Sequence, residues 1–250
     1  MFGFMGFDKF RAWYGELGKL MIFWAKKLSD ISMIYEDDIL LFEVSWLVRR
    51  RIKKAVLAFT DVRDKVNEAI ELLKEYKDYT RIFIIPEDIL VDLDVVDRRG
   101  VLYFWDTSAS TLEPNVELRV VVLSKWSDYE VDIFRRIHKR SWGFFVPPRP
   151  DDHLVVLGFL GDEPVAMAYL NVHNFNIDYG VHVIRDYWRR RIGTRILREV
   201  LKLADEMGAE RVSVVRSLRS KKVSASDRRA VNFYLANNPI KRFSIYRLSL

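Results

Sequence analysis

The sequence predicts an α/β (α+β) protein in two parts: a C-terminal half with a mixed, mostly antiparallel sheet flanked by helices, and a separate N-terminal α/β domain. Three observations carry this. Apolar residues alternate at Ile177, Tyr179, Val181 and Val183 and lead through an arginine-rich turn into a helix with three- and four-residue apolar spacing. Two apolar runs, Leu154 to Leu160 and Val165 to Val172, flank the turn Gly161-Asp-Glu-Pro164 and read as a hairpin. A Ser/Thr-containing stretch with one proline, Thr107 to Asn115, separates these elements from a first half with its own helix and strands. The expected division is therefore 1–106, a linker over 107–116, and 117–250.

In the C-terminal half, Glu117 to Leu123 reads as a first strand. Ser127-Asp-Tyr-Glu130 is a capping box, in which serine and glutamate satisfy each other's end of the helix, and Val131, Phe134, Ile137 and His138 share one side of that helix. After the hairpin and the strand ending at Val183, Ile192, Ile196, Leu197, Val200, Leu201, Leu203 and Ala204 define an amphipathic helix that Gly208 ends after Met207. Arg211 to Val215 is a short strand, Ser226 to Asn237 a last helix, and Ile240 to Leu248 a strand that can close the sheet.

The turn at 185–194 has the chemistry of an anion site. A helix start carries N–H groups without partners and a partial positive charge. Arg189, Arg190 and Arg191 add full charges, Gly193 permits close backbone approach, and Thr194 brings a hydroxyl into the first turn.

Strand, turn and helix together resemble the central motif of the GNAT N-acetyltransferase superfamily, in which an R/Q-x-x-G-x-G/A loop follows a strand ending in valine. The strand valine is Val183, Tyr187 matches the tyrosine common in the next segment, and the loop is WRRRIG, Trp188 to Gly193. Trp188 stands where Arg or Gln is usual and Arg191 where the first glycine is usual. The last helix, DRRAVNFYLANNP from Asp227, is similar to the second motif of the family: Ala230, Phe233 and Tyr234 match, Asp227 replaces an asparagine, and Asn238 replaces a glycine. The resemblance covers about residues 117 to 250. It implies acetyl-coenzyme A as cosubstrate, held by Val181, Val183, Trp188, Arg189, Arg190, Arg191, Ile192, Gly193, Thr194, Asp227 and Phe233, and Tyr234 beside the coenzyme sulfur.

Acetyl transfer to an amine needs a base, because a free alkylammonium has a pKa of ~10.4. Asp178 and His182 are four apart on one strand and point the same way, so both are candidates, directly or through a water. A lone histidine on a strand is more often a hydrogen-bonded structural side chain than a catalyst, with Asp178 orienting His182. Tyr234 would give its proton to the departing thiolate, and N–H groups near the strand end would stabilise the oxyanion. The acceptor is an amine of a small molecule or protein, and Trp142 to Pro150 forms the expected wall of its pocket.

With no cysteine and no metal-ligand spacing among four histidines, thiol nucleophiles and zinc chemistry are excluded. No serine sits in a G-x-S-x-G elbow. No apolar run approaches ~18 residues, and early charges at Asp8, Lys9, Arg11 and Glu16 argue against a secretory signal, so a cytoplasmic protein is expected. The absence of glutamine and abundance of Arg, Val and Ile lean toward a heat-adapted source.

In the first half, Phe10 to Leu28 reads as a helix, Ile31 to Val48 as one or two strands, Asp64 to Tyr76 as a helix, and Arg81 to Ile85 and Val101 to Trp105 as buried strands. The run IYEDDILLFEVSW, read as preceding a long helical region, is faintly similar to the PD-(D/E)xK nuclease core, with Asp37 or Asp38 and then Glu43 as acids. Ser45 holds the lysine position, so any kinship is degenerate, and an ordinary α/β domain with acidic residues in a turn is the favoured reading. Net charge is +6, part of it in the cluster Arg49 to Lys54, which would lie along nucleic-acid phosphates. The alternative to an enzyme is thus a nucleic-acid-binding or regulatory protein using a weak GNAT domain as an acyl-coenzyme A sensor. No repeat is visible in the sequence.

Overall fold

A computed structural model describes residues 28–48, 51–89, 91, 96–218 and 225–248. The helix expected from Phe10 lies outside the described residues until Leu28, where the first strand begins. Two compact units divide the chain. One holds the described residues up to Leu102 with Arg216–Arg228 and Lys241–Leu250, the other Tyr103–Val215 with Arg229–Ile240.

The first unit starts with three antiparallel strands, β1 (Leu28–Glu36), β2 (Leu40–Val48) and β3 (Arg51–Phe59). β3 corrects the expected helical region after Trp46: Ala55 to Phe59 are all buried, a continuous apolar run that suits a covered strand as well as a helix. α1 (Val66–Lys74) follows, burying Val66, Ala69, Ile70 and Leu73, and returns the chain to β4 (Thr80–Pro86), parallel to β3. β5 (Val96–Asp106) and β10 (Arg211–Ser217) each have residues in both units. The strand order is β1-β2-β3-β4-β11-β5-β10. The last strand, β11 (Lys241–Leu248), was expected to close the C-terminal sheet; it instead pairs antiparallel with β4, placing Ile245 opposite Ile84 and Phe243 opposite Pro86. Its buried Phe243, Ile245 and Leu248 belong to the first unit, and Phe243 packs 5.4 Å from the Phe59 ring.

The second unit is layered around a four-stranded antiparallel sheet, β6 (Arg119–Leu123), β7 (His153–Leu160), β8 (Glu163–Asn171) and β9 (Ile177–Val183), in sequence order. α2 (Asp128–Ser141) starts at the capping box, where Glu130 accepts the Ser127 backbone N–H at 2.8 Å. Its Ile133, Phe134 and Ile137 pack with Val155, Leu157, Met167 and Tyr169 on one face of the sheet. α3 (Ile192–Glu206) takes the other face: a Cβ on Gly158 would lie 3.0 Å from Ile196 Cδ1. α4 (Ala225–Ala236) ends at Asn238, whose φ of 53° is the left-handed turn expected there. The segment expected as a free linker is fastened within this unit, Thr107 donating from Oγ1 to the Ala209 carbonyl at 3.1 Å.

One succession occurs twice without a sequence repeat: three antiparallel strands, a helix, and a strand parallel to the third. In the first unit it is β1-β2-β3-α1-β4; in the second it is β7-β8-β9-α3-β10, where the parallel pairing is the bridge Asn176 to Ser213. The two crossover turns differ in charge. Before α1, Asp61 and Asp64 are balanced by Arg63 and Lys65, whereas three consecutive arginines stand before α3.

Candidate active site

β9 is an edge of its four-stranded sheet; near its start the chain meets β10 through the Asn176–Ser213 bridge and the Ser213 N–H bond to the Phe175 carbonyl at 3.2 Å. An edge strand presents backbone donors and acceptors to whatever lies alongside. β9 is also bulged. Met167 pairs with His182 and Tyr169 with Asp178, a span of two residues against four. The surplus is absorbed at Tyr179 and Gly180, with φ of 66° and 89°. Position 180 requires glycine for a second reason, since a Cβ there would stand 2.7 Å from Tyr234 Oη. That hydroxyl, on a side chain of α4 that is 4% exposed, accepts the Val181 N–H at 3.3 Å.

The turn after β9 supplies the second part. The chain passes through a single 3-10 turn at Arg185–Tyr187, and then Arg189 and Arg191 both take left-handed backbone, φ 62° and 55°. A left-handed non-glycine residue costs roughly 1–2 kcal/mol, so this turn stores strain. Alternating backbone of this kind turns successive N–H groups toward one point, an anion-binding concavity. The Arg195 N–H bonds back to the Arg191 carbonyl at 3.1 Å as α3 begins. Gly193 sits against the aromatic ring of Phe233: a Cβ would meet Phe233 Cε2 at 2.9 Å and Val183 Cγ2 at 3.6 Å. Ile192 and Thr194 are buried beneath the turn. Trp188 donates from Nε1 to the Val183 carbonyl at 2.8 Å, and the Arg229 guanidinium lies 5.0 Å from its ring centre. Val181, Val183, Trp188, Gly193, Phe233 and Tyr234, picked from separate stretches of sequence, thus meet along one edge of β9.

Two arginines of the turn face acids. Arg190 is 3.5 Å from Glu117 and Arg191 3.6 Å from Glu113. Asp227 is buried in the first unit, accepting from Arg216 Nη2 at 2.5 Å.

Asp178 and His182 lie in different polar networks. Asp178 is 1% exposed and accepts three hydrogen bonds: from His153 Nε2 at 2.8 Å, Asn171 Nδ2 at 3.1 Å and Asn176 Nδ2 at 2.7 Å. The Arg149 N–H donates to His153 Nδ1 at 2.9 Å, which fixes the hydrogen on Nε2. Ser213 Oγ joins through Asn176 Oδ1, so the network ties β7, β8, β9 and β10 together. His182 Nε2 is 3.1 Å from the Tyr179 carbonyl, which can only accept, so Nε2 carries hydrogen. Its Nδ1 is 3.0 Å from Ser141 Oγ, and that oxygen is 3.2 Å from the His138 carbonyl.

The expected acceptor wall begins here. The Trp142 ring is 5.4 Å from His182 and 6.4 Å from Tyr179, and Phe144 stacks on it at 3.8 Å. Behind them His138, fully buried among Trp142, Phe145, Tyr169 and His182, has its imidazole pushed down to about 4 by burial. Burial, then the Asp178 charge, pushes the Tyr179 hydroxyl up to about 12. Both are neutral near pH 7. Ser141, Asn115, His153 and Arg229 carry no motif and could not be found from spacing.

A family model of the GNAT acetyltransferases matches residues 117–237. Residues 117–237 are a GNAT acetyltransferase domain. No curated protein matches the chain. Among solved structures, a conserved protein of unknown function from Staphylococcus epidermidis is similar at 14% identity, over 94% of this chain and 100% of its own, with a TM-score of 0.51. A GCN5-related N-acetyltransferase from Sphaerobacter thermophilus matches at 13% identity, over 83% of this chain and 76% of its own, with a TM-score of 0.42. The ribosomal-protein-S18-alanine N-acetyltransferase of Escherichia coli matches at 14% identity over 53% of this chain and 96% of its own, with a TM-score of 0.32. At 14% identity, the Staphylococcus epidermidis protein shows a likeness of fold alone.

The GNAT fold expected for the C-terminal half is the one observed, and acyl transfer is its general chemistry. The nuclease likeness of the first half has no support. Glu43 on β2 pairs with Lys54 at 2.7 Å, and no group of three or more His, Asp or Glu among the described residues is arranged to hold a metal. Of the basic cluster, Arg51, Lys53 and Lys54 are exposed at the start of β3, while residues 49 and 50 lie outside the described residues. No helix among the described residues is long and apolar enough to cross a membrane.

Proposed function

We propose that this protein is an acetyl-coenzyme A-dependent N-acetyltransferase acting on an amine acceptor. The observation that carries the reading is the bulged edge of β9, with Tyr234 on its Val181 amide at one end and the arginine turn at the other. The residues present fit the coenzyme: the left-handed turn aims amides at a diphosphate, and Gly193 lets that turn pack closely on the Phe233 ring. Arg189 adds charge, while Arg190 and Arg191 are paired with Glu117 and Glu113; the β9 edge at Val181 and Val183 runs beside the pantetheine, and Phe233 packs against Gly193. When bound, the coenzyme supplies an activated acetyl thioester.

The chain's own groups manage the protons. The amine must arrive neutral at the thioester carbonyl, so its ammonium proton passes to His182. With His182 neutral, Ser141 donates its hydrogen to Nδ1. Once Nδ1 is protonated it donates to Ser141 Oγ, whose hydrogen turns to the His138 carbonyl, so the same contacts serve both states. Asp178, saturated by three donors, is better suited to fixing the bulge than to taking a proton. The N–H groups at the bulge polarise the carbonyl. As the C–N bond forms and the C–S bond breaks, Tyr234 gives its hydroxyl proton to the thiolate, and the second proton released by the nitrogen restores the Tyr234 hydroxyl through solvent, leaving an amide and a thiol.

Calorimetry with coenzyme A, followed by thiol release from acetyl-coenzyme A with a panel of amines and peptides, tests this. Tyr234→Phe is expected to lower turnover by roughly 10²-fold while coenzyme affinity changes little. Absence of coenzyme uptake refutes the reading; uptake without turnover on any acceptor favours a sensor.

A further inference from the structure

The turn at 189–191 must hold left-handed backbone at Arg189 and Arg191, φ 62° and 55°, the region that favours glycine, and it must hold that form so that its amides converge. Something outside the turn has to keep it there. The contacts come from the segment just before β6. Asn115 donates from Nδ2 to the Arg190 carbonyl at 3.0 Å and from its backbone N–H to the Arg191 carbonyl at 3.3 Å. Arg191 in turn donates from Nη1 to the Glu113 carbonyl at 3.2 Å.

The direction of the Asn115 carboxamide is not arbitrary. Its Oδ1 accepts the backbone N–H of Leu118 at 2.8 Å, and that N–H can only donate; the Arg190 carbonyl can only accept. Oxygen therefore faces Leu118 and nitrogen faces the turn. Leu118 is 2% exposed and packs its side chain where a Cβ on Gly158 would stand, so the anchor end is part of the core. The result is a short strut from the sheet to the turn, bonded to two successive carbonyls. A peptide unit whose carbonyl is held on one side presents the N–H of the next residue on the other, so fixing the carbonyls of Arg190 and Arg191 fixes the amides of Arg191 and Ile192.

We propose that Asn115 is a positioning residue of the coenzyme site: it holds the arginine turn in the left-handed form that a glycine would adopt unaided, and thereby sets affinity for the diphosphate. This rests on the coenzyme reading above for its binding half alone. The strut also explains why arginine is tolerated at position 191, since the strain is offset from outside and the side chain itself ties back to Glu113.

The test is a double-mutant cycle of Asn115→Ala and Arg191→Gly, read in two ways on the full chain: melting temperature without ligand, and dissociation constant for coenzyme A by calorimetry. Asn115→Ala is expected to lower the melting temperature and weaken coenzyme A by about tenfold, a loss of about 1.4 kcal/mol. Adding Arg191→Gly to Asn115→Ala is expected to restore affinity to within about threefold of the wild type and to raise the melting temperature more than it does alone. A packing residue would give no such rescue, because a glycine at position 191 replaces none of the contacts removed at position 115. Additive effects in the melting cycle overturn the strut whether or not coenzyme binds. Coupling in melting with no uptake of coenzyme A by the wild type overturns the coenzyme reading and keeps the strut. Coenzyme affinity unchanged by Asn115→Ala in a wild type that binds overturns its positioning role.

Discussion

His138 offers a test of the site's interior in which the structure sets the magnitude. Its ring is fully buried between Trp142, Phe145, Tyr169 and His182, its Nδ1 accepts the Val146 N–H at 3.3 Å, and burial takes its pKa from 6.5 to about 4. Because the folded value lies below the unfolded one, the unfolded chain binds the proton more readily. Stability from this group is complete above the unfolded value and is lost as pH falls toward the folded one. At 1.36 kcal/mol per pH unit, the loss between pH 6.5 and 4 is about 3 kcal/mol. His138→Gln keeps an acceptor without a proton to gain. Its melting temperature should therefore fall less steeply than the wild type's over that window, and the difference between the two curves isolates His138 from every other titrating group. An NMR titration of the His138 ring gives the same value directly. Parallel melting curves, or a ring that titrates near its ordinary value, would refute the claim that His138 is buried in its neutral form behind Trp142.

Other perturbations probe the bulge. Gly180→Ala places a Cβ 2.7 Å from Tyr234 Oη on left-handed backbone, so the Val181 to Tyr234 bond must open; we expect about 1–3 kcal/mol of lost stability and a turnover loss as large as that of Tyr234→Phe, and a variant with full turnover would separate Tyr234 from the chemistry. Asp178→Asn turns one of its oxygens into a donor facing a donor. It should cost about 3 kcal/mol by urea unfolding, with turnover falling only as the bulge loosens; intact stability with abolished turnover would instead make Asp178 the base.

Much of the second unit was legible because its signals are local. The capping box at Ser127 and the periodicity from Ile192 depend on residues within a few turns of one another, and both elements lie where the pattern puts them. Asn238 is left-handed because a short amide tolerates what the end of α4 demands. The first unit was read less well. Arg51 to Phe59 has no alternation to mark it as a strand, since its buried half is covered on both faces. The 107–116 segment looked like a linker because it is rich in Ser and Thr with one Pro, and Asn115 within it bears no periodic or catalytic signature.

What the sequence determined alone is therefore the kind of domain: a GNAT acetyltransferase fold in the C-terminal half, the strand that feeds the arginine turn, and the tyrosine on the last helix. Tertiary structure decided the rest. Only pairing shows that β11 completes the sheet of the first unit, that His182 answers to Ser141 while Asp178 answers to His153, and that an asparagine 75 residues away holds the arginine turn. Local order comes from neighbouring residues and leaves a pattern in the chain, whereas a hydrogen bond between distant residues depends on three-dimensional position and leaves none.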